Sequence, residues 1–388
     1  LSYCKRRKNN LNKKFLALAT AIGLIGPIAA PVTYIKAASN NTTQSDQAEM
    51  RQFVRNTMNQ NHVRGSAVII KNGVPQQISF GYAWYGKRIG NGNSKVVYPV
   101  CSLQKVITAA MIVQLINENL KTSQRFTQNT KISRWYPDMT NANKITVGNL
   151  LTHTSGIRAT GAEIYRGKTY SEASAIQWAV NNVNSSSEGT VGTYYYNNTN
   201  YILLAGIIRA VTGKSYQANF NQRIVKKLGL TNTYLYQDIP SNKTDSISYY
   251  SNGGKNYTKA AYVKKQLASQ MPGTGDMFST PMDYYKIQVG LTNGQILSSS
   301  DFHYLTHLTS KNATSNYSGG IYLKNNDNLK MAYGNIAGNH FGNWFQMTTD
   351  NQNGLIMFLN QTDNSEASVK AVGYQILNHI KANTFTSK

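Results

Sequence analysis

Cysteines and acids are scarce in this chain, and each scarcity removes a class of explanation. Only Cys4 and Cys101 occur, which leaves no disulfide framework and no cysteine cluster for a metal. Asp and Glu number 16 against 40 Lys and Arg, a formal charge of +24 at pH 7. Prolines are few, 8 against 30 glycines, and 40% of residues are hydrophobic, so the composition is globular rather than disordered or fibrous. No His-Glu-x-x-His occurs, which leaves a zinc peptidase without support. No Gly-x-Ser-x-Gly elbow occurs either, which disfavours a Ser-His-Asp hydrolase. The basic residues are dispersed, and no zinc finger, helix-turn-helix signature or RNP-like strand accompanies them. Nucleic acid is therefore not the expected partner.

What is present begins with an N-terminal basic stretch, Lys5 to Lys14, followed by an uncharged apolar run from Phe15 to about Ala30. Together they read as a secretory signal. Residues 1–38 are expected to be a signal peptide or membrane anchor, and 39–47 (SNNTTQSDQ) a polar linker. Seven cations precede residue 39 with no acid among them. The excess positive charge over the remainder attracts polyanions over about a Debye length. For an exported chain, anionic wall polymers or lipid head groups fit best, and simple solubility is the plainer alternative.

From about residue 48 the pattern becomes globular. Ala48 to Asn61 reads as a helix. Ser66–Ile70 and Gln77–Trp84 read as strands either side of Asn72-Gly73, a hairpin signal. Ser102 to Leu120 is strongly helical, with Val106, Ile107, Ala110, Met111, Val113 and Ile116 on an apolar face. The middle section mixes short helices and loops. Late in the chain, Gly342–Thr348 and Gly354–Leu359 read as adjacent strands and Glu366 to Ala382 as a closing helix. Strands near both ends with helices between them predict one discontinuous domain over 48–388. Its α/β part covers about 48–97 and 290–388, and its helical part about 98–289.

Three short motifs carry chemistry. Ser102-Leu103-Gln104-Lys105 opens the long helix, and a three-residue spacing puts the Lys105 amine on the serine's face. A helix N-terminus favours developing negative charge, and a lysine in a low-dielectric cleft can lose its proton and act as a base. The same tetrapeptide pattern at Ser2-Tyr3-Cys4-Lys5 shows how weak it is alone. Tyr196-Asn197-Asn198 stands just before an apolar helix. There a phenol can shuttle a proton and the Asn198 amide can hold a carbonyl. Tyr250-Ser251-Asn252 and Tyr333-Gly334-Asn335 are competing matches. His340-Phe341-Gly342 starts a late strand, where glycine permits close approach. The Asn343 N–H would pair with that of Ser102 as an oxyanion hole. Cys101, beside the serine, reads as a small buried hydrophobe, and His153 in LTHTSG as a residue shaping a turn.

With its motifs in that order, the chain resembles the class C β-lactamase and DD-peptidase family of serine hydrolases from about residue 48 onward. ITVGNLLTHTSGI (145–157), YILLAGIIRAVTGKSY (201–216), LGLTNTYLY (228–236) and PGTGDMFSTPMDYYKI (272–287) read like the family too. The resemblance implies a β-lactamase/transpeptidase-like fold: an antiparallel sheet flanked by N- and C-terminal helices, with an inserted helical domain. It implies an acyl-enzyme mechanism with Ser102, Lys105 and Tyr196 catalytic, and Asn198, His340, Gly342 and Asn343 binding substrate. It calls for no metal or organic cofactor. Histidine in the third motif argues against a dedicated β-lactamase, and Phe341 in its middle position against a free C-terminal carboxylate. The expected substrates are D-alanyl groups of the cell wall, on peptidoglycan peptide or teichoic acid, with β-lactams as acylating inhibitors. The expected place is the outer face of the membrane or the wall, with membrane contact through the N-terminal segment if it is uncleaved. A β-lactamase or small-ester esterase is the alternative enzyme, and a non-catalytic penicillin-binding or wall-sensing protein the alternative of another class.

Overall fold

Arg64–Lys71 (β1) carries the apolar run Ala67–Ile70 and is buried at every position but Lys71, the pattern of a strand covered on both faces. In the computed structural model, which describes residues 44–380, β1 lies inside the main sheet, paired on both edges. Its alternate side chains divide between two cores, Val68 and Ile70 in one and Ala67 and Ile69 in the other, as the two-residue period of a strand requires. The expected export segment at 1–38 and residues 39–43 of the linker lie outside the described residues.

The main sheet is formed by β1, Val74–Phe80 (β2), Tyr317–Ser318 (β3), Ile321–Lys324 (β4), Leu329–Gly334 (β5), Gly342–Thr348 (β6) and Gly354–Thr362 (β7). These lie in the order β3-β4-β5-β6-β7-β1-β2. Each neighbouring pair is antiparallel, with Val68 opposite Ile356 across β1 and β7. The first and last long strands of the described chain thus pair side by side within one sheet. A further strand, Ser248–Tyr250, joins the end of β7 in parallel. The hairpin at Asn72-Gly73 has φ of 51° and 75°, the left-handed pair that a tight β-turn of this kind needs. The strand expected to run to Trp84 stops at Phe80, because Gly81 takes φ 78° and Tyr82–Trp84 forms a separate short strand.

Helices Gln44–Gln60 (α1) and Glu366–His379 (α5) cover one face, where Val54, Met58, Val369, Val372 and Ile376 meet Trp344 and Met357. Helix α1 begins at Gln44, four residues before the expected start. The other face holds Lys105–Asn119 (α2), Asn198–Thr212 (α3) and Pro281–Gly290 (α4). Helix α2 shows no single apolar face: Lys105 to Val113 are all buried, as befits a helix surrounded by protein. The middle region is not purely helical, since Val96–Pro99, Thr244–Asp245 and Met277–Ser279 pair in a small second sheet with Tyr234–Leu235.

Helix α5 approaches the sheet most closely at Gly373, where an added Cβ would stand 2.1 Å from Trp344 Cζ3. Overpacking of this kind costs about 1–3 kcal/mol. Gly373→Val is expected to lower the unfolding free energy by that much, read as a lower urea midpoint, and an unchanged midpoint would show that the α5 contact is not tight.

Candidate active site

Ser102 is delivered by a strained turn. After the short strand Val96–Pro99, Cys101 takes φ 56°, a conformation that costs a non-glycine residue about 1–3 kcal/mol and survives only where its surroundings hold it. Here Cys101 is 2% exposed and packs with Leu267, Met271, Ile336 and Phe341, as a small hydrophobe. Burial pushes its thiol up, away from the thiolate. Cys101–Gln104 forms a 3₁₀ turn and α2 starts at Lys105. Ser102 therefore precedes the α-helix rather than lying in its first turn. A 3₁₀ turn eclipses residues three apart, so Ser102 and Lys105 still face one another, with Lys105 Nζ 2.9 Å from Ser102 Oγ.

Lys105 is 1% exposed, and its Nζ also lies 3.3 Å from the Thr274 carbonyl oxygen. Burial lowers the ammonium pKa to about 7, against the opposing charge of Glu163. The loop carrying Thr274 is fixed by Asp276. The Asp276 Oδ1 atom accepts from Gln104 Nε2 at 2.6 Å and from the Gly273 N–H at 3.0 Å. This loop is the PGTGDMF stretch of the sequence.

Tyr196 stands on the other side of the lysine, its ring centre 5.0 Å from Nζ. It is 37% exposed, so the cleft reaches it. Its hydroxyl nevertheless lies in a desolvated cluster that holds the phenol well above its ordinary pKa, opposed by a hydrogen bond with Ser102. His153 is buried beneath the Tyr196, Tyr201 and Tyr317 rings at 4.3, 5.2 and 4.7 Å. Its Nδ1 meets Asn200 Nδ2 at 2.8 Å, and burial keeps the ring neutral. It supports the tyrosines from below, through ring packing rather than turn geometry alone. Asn197 caps α3 by accepting from the Thr199 N–H, which turns Tyr196 and Asn198 toward Ser102. Asn198 Oδ1 accepts from Thr274 Oγ1 at 3.2 Å, and its Nδ2 donates to the Glu163 carboxylate.

A cleft of about 500 Å³ opens from Ser102 and Tyr196 along β5, past Tyr333, Gly334 and Asn335, with Lys324 and Lys370 among its walls. Gly334 passes so close that a Cβ would stand 2.9 Å from the Ser102 nitrogen. The strand end beside the serine is thus Tyr333-Gly334-Asn335. His340, Gly342 and Asn343 do not line this cleft, and this differs from the sequence expectation. His340 Nδ1 meets Asn364 Oδ1 at 3.0 Å. Gly342 faces Val369 and Thr362. Asn343 is fully buried one strand further in, with Nδ2 donating to the Pro99 carbonyl at 2.6 Å, while its backbone pairs with Gly334 and Phe358. The physical reason is register: the loop after β5 separates His340 from the strand end that touches Ser102. Phe341 is buried with Cys101, and neither His340 nor Phe341 is among the residues lining this cleft. Glu163, Thr274, Gly334 and Lys324 were missed. Of these, only Thr274 lay in a stretch that the family resemblance singled out.

A larger hollow of about 620 Å³ lies at the hairpin-turn end of the sheet, with stacked His303 and His307 and with Asp327. Its lining includes Ser299 but no lysine to activate it. Among the described residues no group of three or more His, Cys, Asp or Glu side chains is placed to hold a metal. Among the same residues no helix is long and apolar enough to cross a membrane.

Comparison with known proteins agrees with this architecture. PbpX of Bacillus subtilis (strain 168) is 27% identical over 346 residues, 88% of this chain and 82% of that protein. The teichoic acid D-alanine hydrolase of Staphylococcus aureus is 26% identical over 321 residues, 82% of this chain and 75% of that protein. Among solved structures, FmtA from Staphylococcus aureus superposes with a TM-score of 0.68 at 23% identity, covering 86% of this chain and 90% of that one. D-amino acid amidase from Ochrobactrum anthropi SV3 gives 0.69 at 19% identity, covering 86% and 99%. These structures share the fold, a β-lactamase/transpeptidase-like one. The family model for Beta-lactamase matches residues 50–377, and with the helix-flanked sheet around Ser102 and Lys105 this makes the chain a member of the Beta-lactamase family.

Proposed function

We propose that the protein is an exported serine acyl hydrolase that removes D-alanyl groups from cell-wall polymers. The observation that carries this reading is the buried Lys105 amine held 2.9 Å from Ser102 Oγ in an open cleft. Near neutral pH that amine loses its proton and becomes able to take the proton of the serine. Ser102 Oγ then attacks the acyl carbonyl. The oxyanion is held by the Ser102 N–H and a backbone N–H of the strand end at Tyr333–Asn335. Tyr196, protonated because of its desolvation, passes a proton to the departing oxygen or nitrogen. The proton that Lys105 took from the serine returns to Tyr196, and water, deprotonated through the same pair, then cleaves the acyl-serine. This releases D-alanine when the substrate is a D-alanyl ester, and the shortened peptide when the terminal D-alanine of a D-Ala-D-Ala peptide has already left as the amine. Lys324 on the cleft wall suits a substrate with an anionic remainder, a polyol phosphate or a peptide carboxylate, whereas Lys370 there is paired with Glu366. The D-alanyl substrate is supported by the relative named for teichoic acid D-alanine hydrolysis. β-Lactams would acylate the same serine. Export is supported by the sequence of the first 38 residues.

Three outcomes follow. The purified protein should release D-alanine from D-alanylated teichoic acid or from a D-Ala-D-Ala muropeptide, and Ser102→Ala should release none. Equal behaviour of the two proteins on both substrates would favour the binding-protein alternative. The rate of Ser102 labelling by a fluorophosphonate should fall about tenfold per pH unit below about 7 and level off above it, because only the neutral amine accepts the proton. A flat profile would rule out Lys105 as the base. Gly334→Ala, whose Cβ would stand 2.9 Å from the Ser102 nitrogen, should cut kcat/KM about 100-fold in a protein that still folds, with stability lowered by about 1–3 kcal/mol. Full activity would place the oxyanion site elsewhere.

A further inference from the structure

Glu163 is a carboxylate at the catalytic cluster that none of the three motifs includes. It lies on the loop between His153 and the helix Glu172–Asn184 and joins two sides of the site. One oxygen takes the Asn198 amide, and the other accepts from the Ala337 N–H at 3.2 Å, just beyond the β5 strand end. Through Asn198 and Thr274 it is two side chains from Lys105. Its charge acts on both Lys105 and Tyr196.

The environment of this carboxylate is unusual within the molecule. Glu172 and Asp283, both more than four-fifths buried, each hold a cation, Arg209 at 2.6 Å and Lys286 at 3.2 Å. Glu163 is half-buried yet has no Lys, Arg or His within ion-pair distance among the described residues, in a chain carrying 40 Lys and Arg. A partly desolvated carboxylate without a counter-charge is costly. Its two hydrogen bonds use about half of its acceptor capacity. Glu163 is not itself a lining residue of the Ser102 cleft, but it supplies one negative charge with open acceptor positions one hydrogen bond behind Asn198 and next to the loop that follows the β5 strand end.

Resting on the D-alanyl reading above, we infer that Glu163 receives the α-ammonium of the acyl group, so that the site selects D-aminoacyl esters with a free amine over N-acylated ones. An alanyl ester carries an ammonium on the carbon next to the carbonyl that Ser102 attacks. In a D-Ala-D-Ala peptide the corresponding nitrogen is an amide and carries no charge. The same carboxylate thus separates the two wall substrates: it binds the ester's ammonium and leaves a peptide's amide without a charged partner.

The test compares the full chain with Glu163→Gln on two esters, D-alanine methyl ester and N-acetyl-D-alanine methyl ester, with fluorophosphonate labelling of Ser102 as a check on the nucleophile. The wild type should prefer the charged ester, and Glu163→Gln should reduce that preference on the order of 30-fold, mainly through the KM of the charged ester. Any change that the lost charge makes at Lys105 acts on both esters and on labelling alike and cancels in the ratio. The same loss on both esters would overturn the inference and make Glu163 a structural clamp on Asn198. An unchanged preference would also overturn it. A wild type that labels at Ser102 yet hydrolyses neither ester would instead overturn the D-alanyl reading, and this inference with it.

Discussion

The desolvation of Lys105 is the constraint on which the rest of the site depends. Removing a lysine from water lowers its pKa from 10.5 to about 7, a shift of roughly 5 kcal/mol at about 1.4 kcal/mol per pH unit. The unfolded chain keeps this proton up to about pH 10.5, and the folded chain gives it up near 7. Stability therefore rises with pH between those values, and the full cost falls below about pH 7. The fold bears that cost by surrounding α2 with protein on all sides. Several features serve the same burial: the 3₁₀ turn that eclipses Ser102 and Lys105, the Asp276-anchored loop that brings Thr274 to the amine, and the aromatic cluster over His153.

The two cores divide this labour. The face covered by α1 and α5 is a plain apolar contact built around Trp344. The other face carries the site, and there polar groups such as Gln104, Asn200 and Asp276 are buried with partners. Buried polar networks of that kind are costly when incomplete and fix a geometry when satisfied. A catalytic arrangement needs that rigidity, because the amine and hydroxyl must stay in hydrogen-bond contact while Cys101 holds a strained backbone.

Much of this was legible in the sequence, for physical reasons. The Asn72-Gly73 hairpin follows from left-handed backbone needs, and the strands β6 and β7 from apolar runs of the right length. The Ser102–Lys105 spacing places the two side chains together whether the turn is α or 3₁₀. Tyr196 and Asn198 were legible because they precede a strongly apolar helix with an Asn cap. The third motif was not. The strand end at Ser102 is Tyr333-Gly334-Asn335, which has neither His nor Lys to mark it and stood only as a competing Tyr-x-Asn match. His340-Phe341-Gly342 drew attention by residue type, whereas register alone decides which strand end touches the serine. Glu163 was illegible for a similar reason, since its role comes from a long loop whose path no local pattern predicts.

The most direct measurement is the titration of the Lys105 amine itself, followed by the nitrogen chemical shift of its Nζ in selectively labelled protein. Burial in the serine turn predicts a midpoint near pH 7, apart from the surface lysines but shared with the buried Lys330, so the Lys105 signal is identified as the one lost in Lys105→Ala. A midpoint near the ordinary 10.5 would mean that Lys105 stays charged at neutral pH, and the serine would need another base.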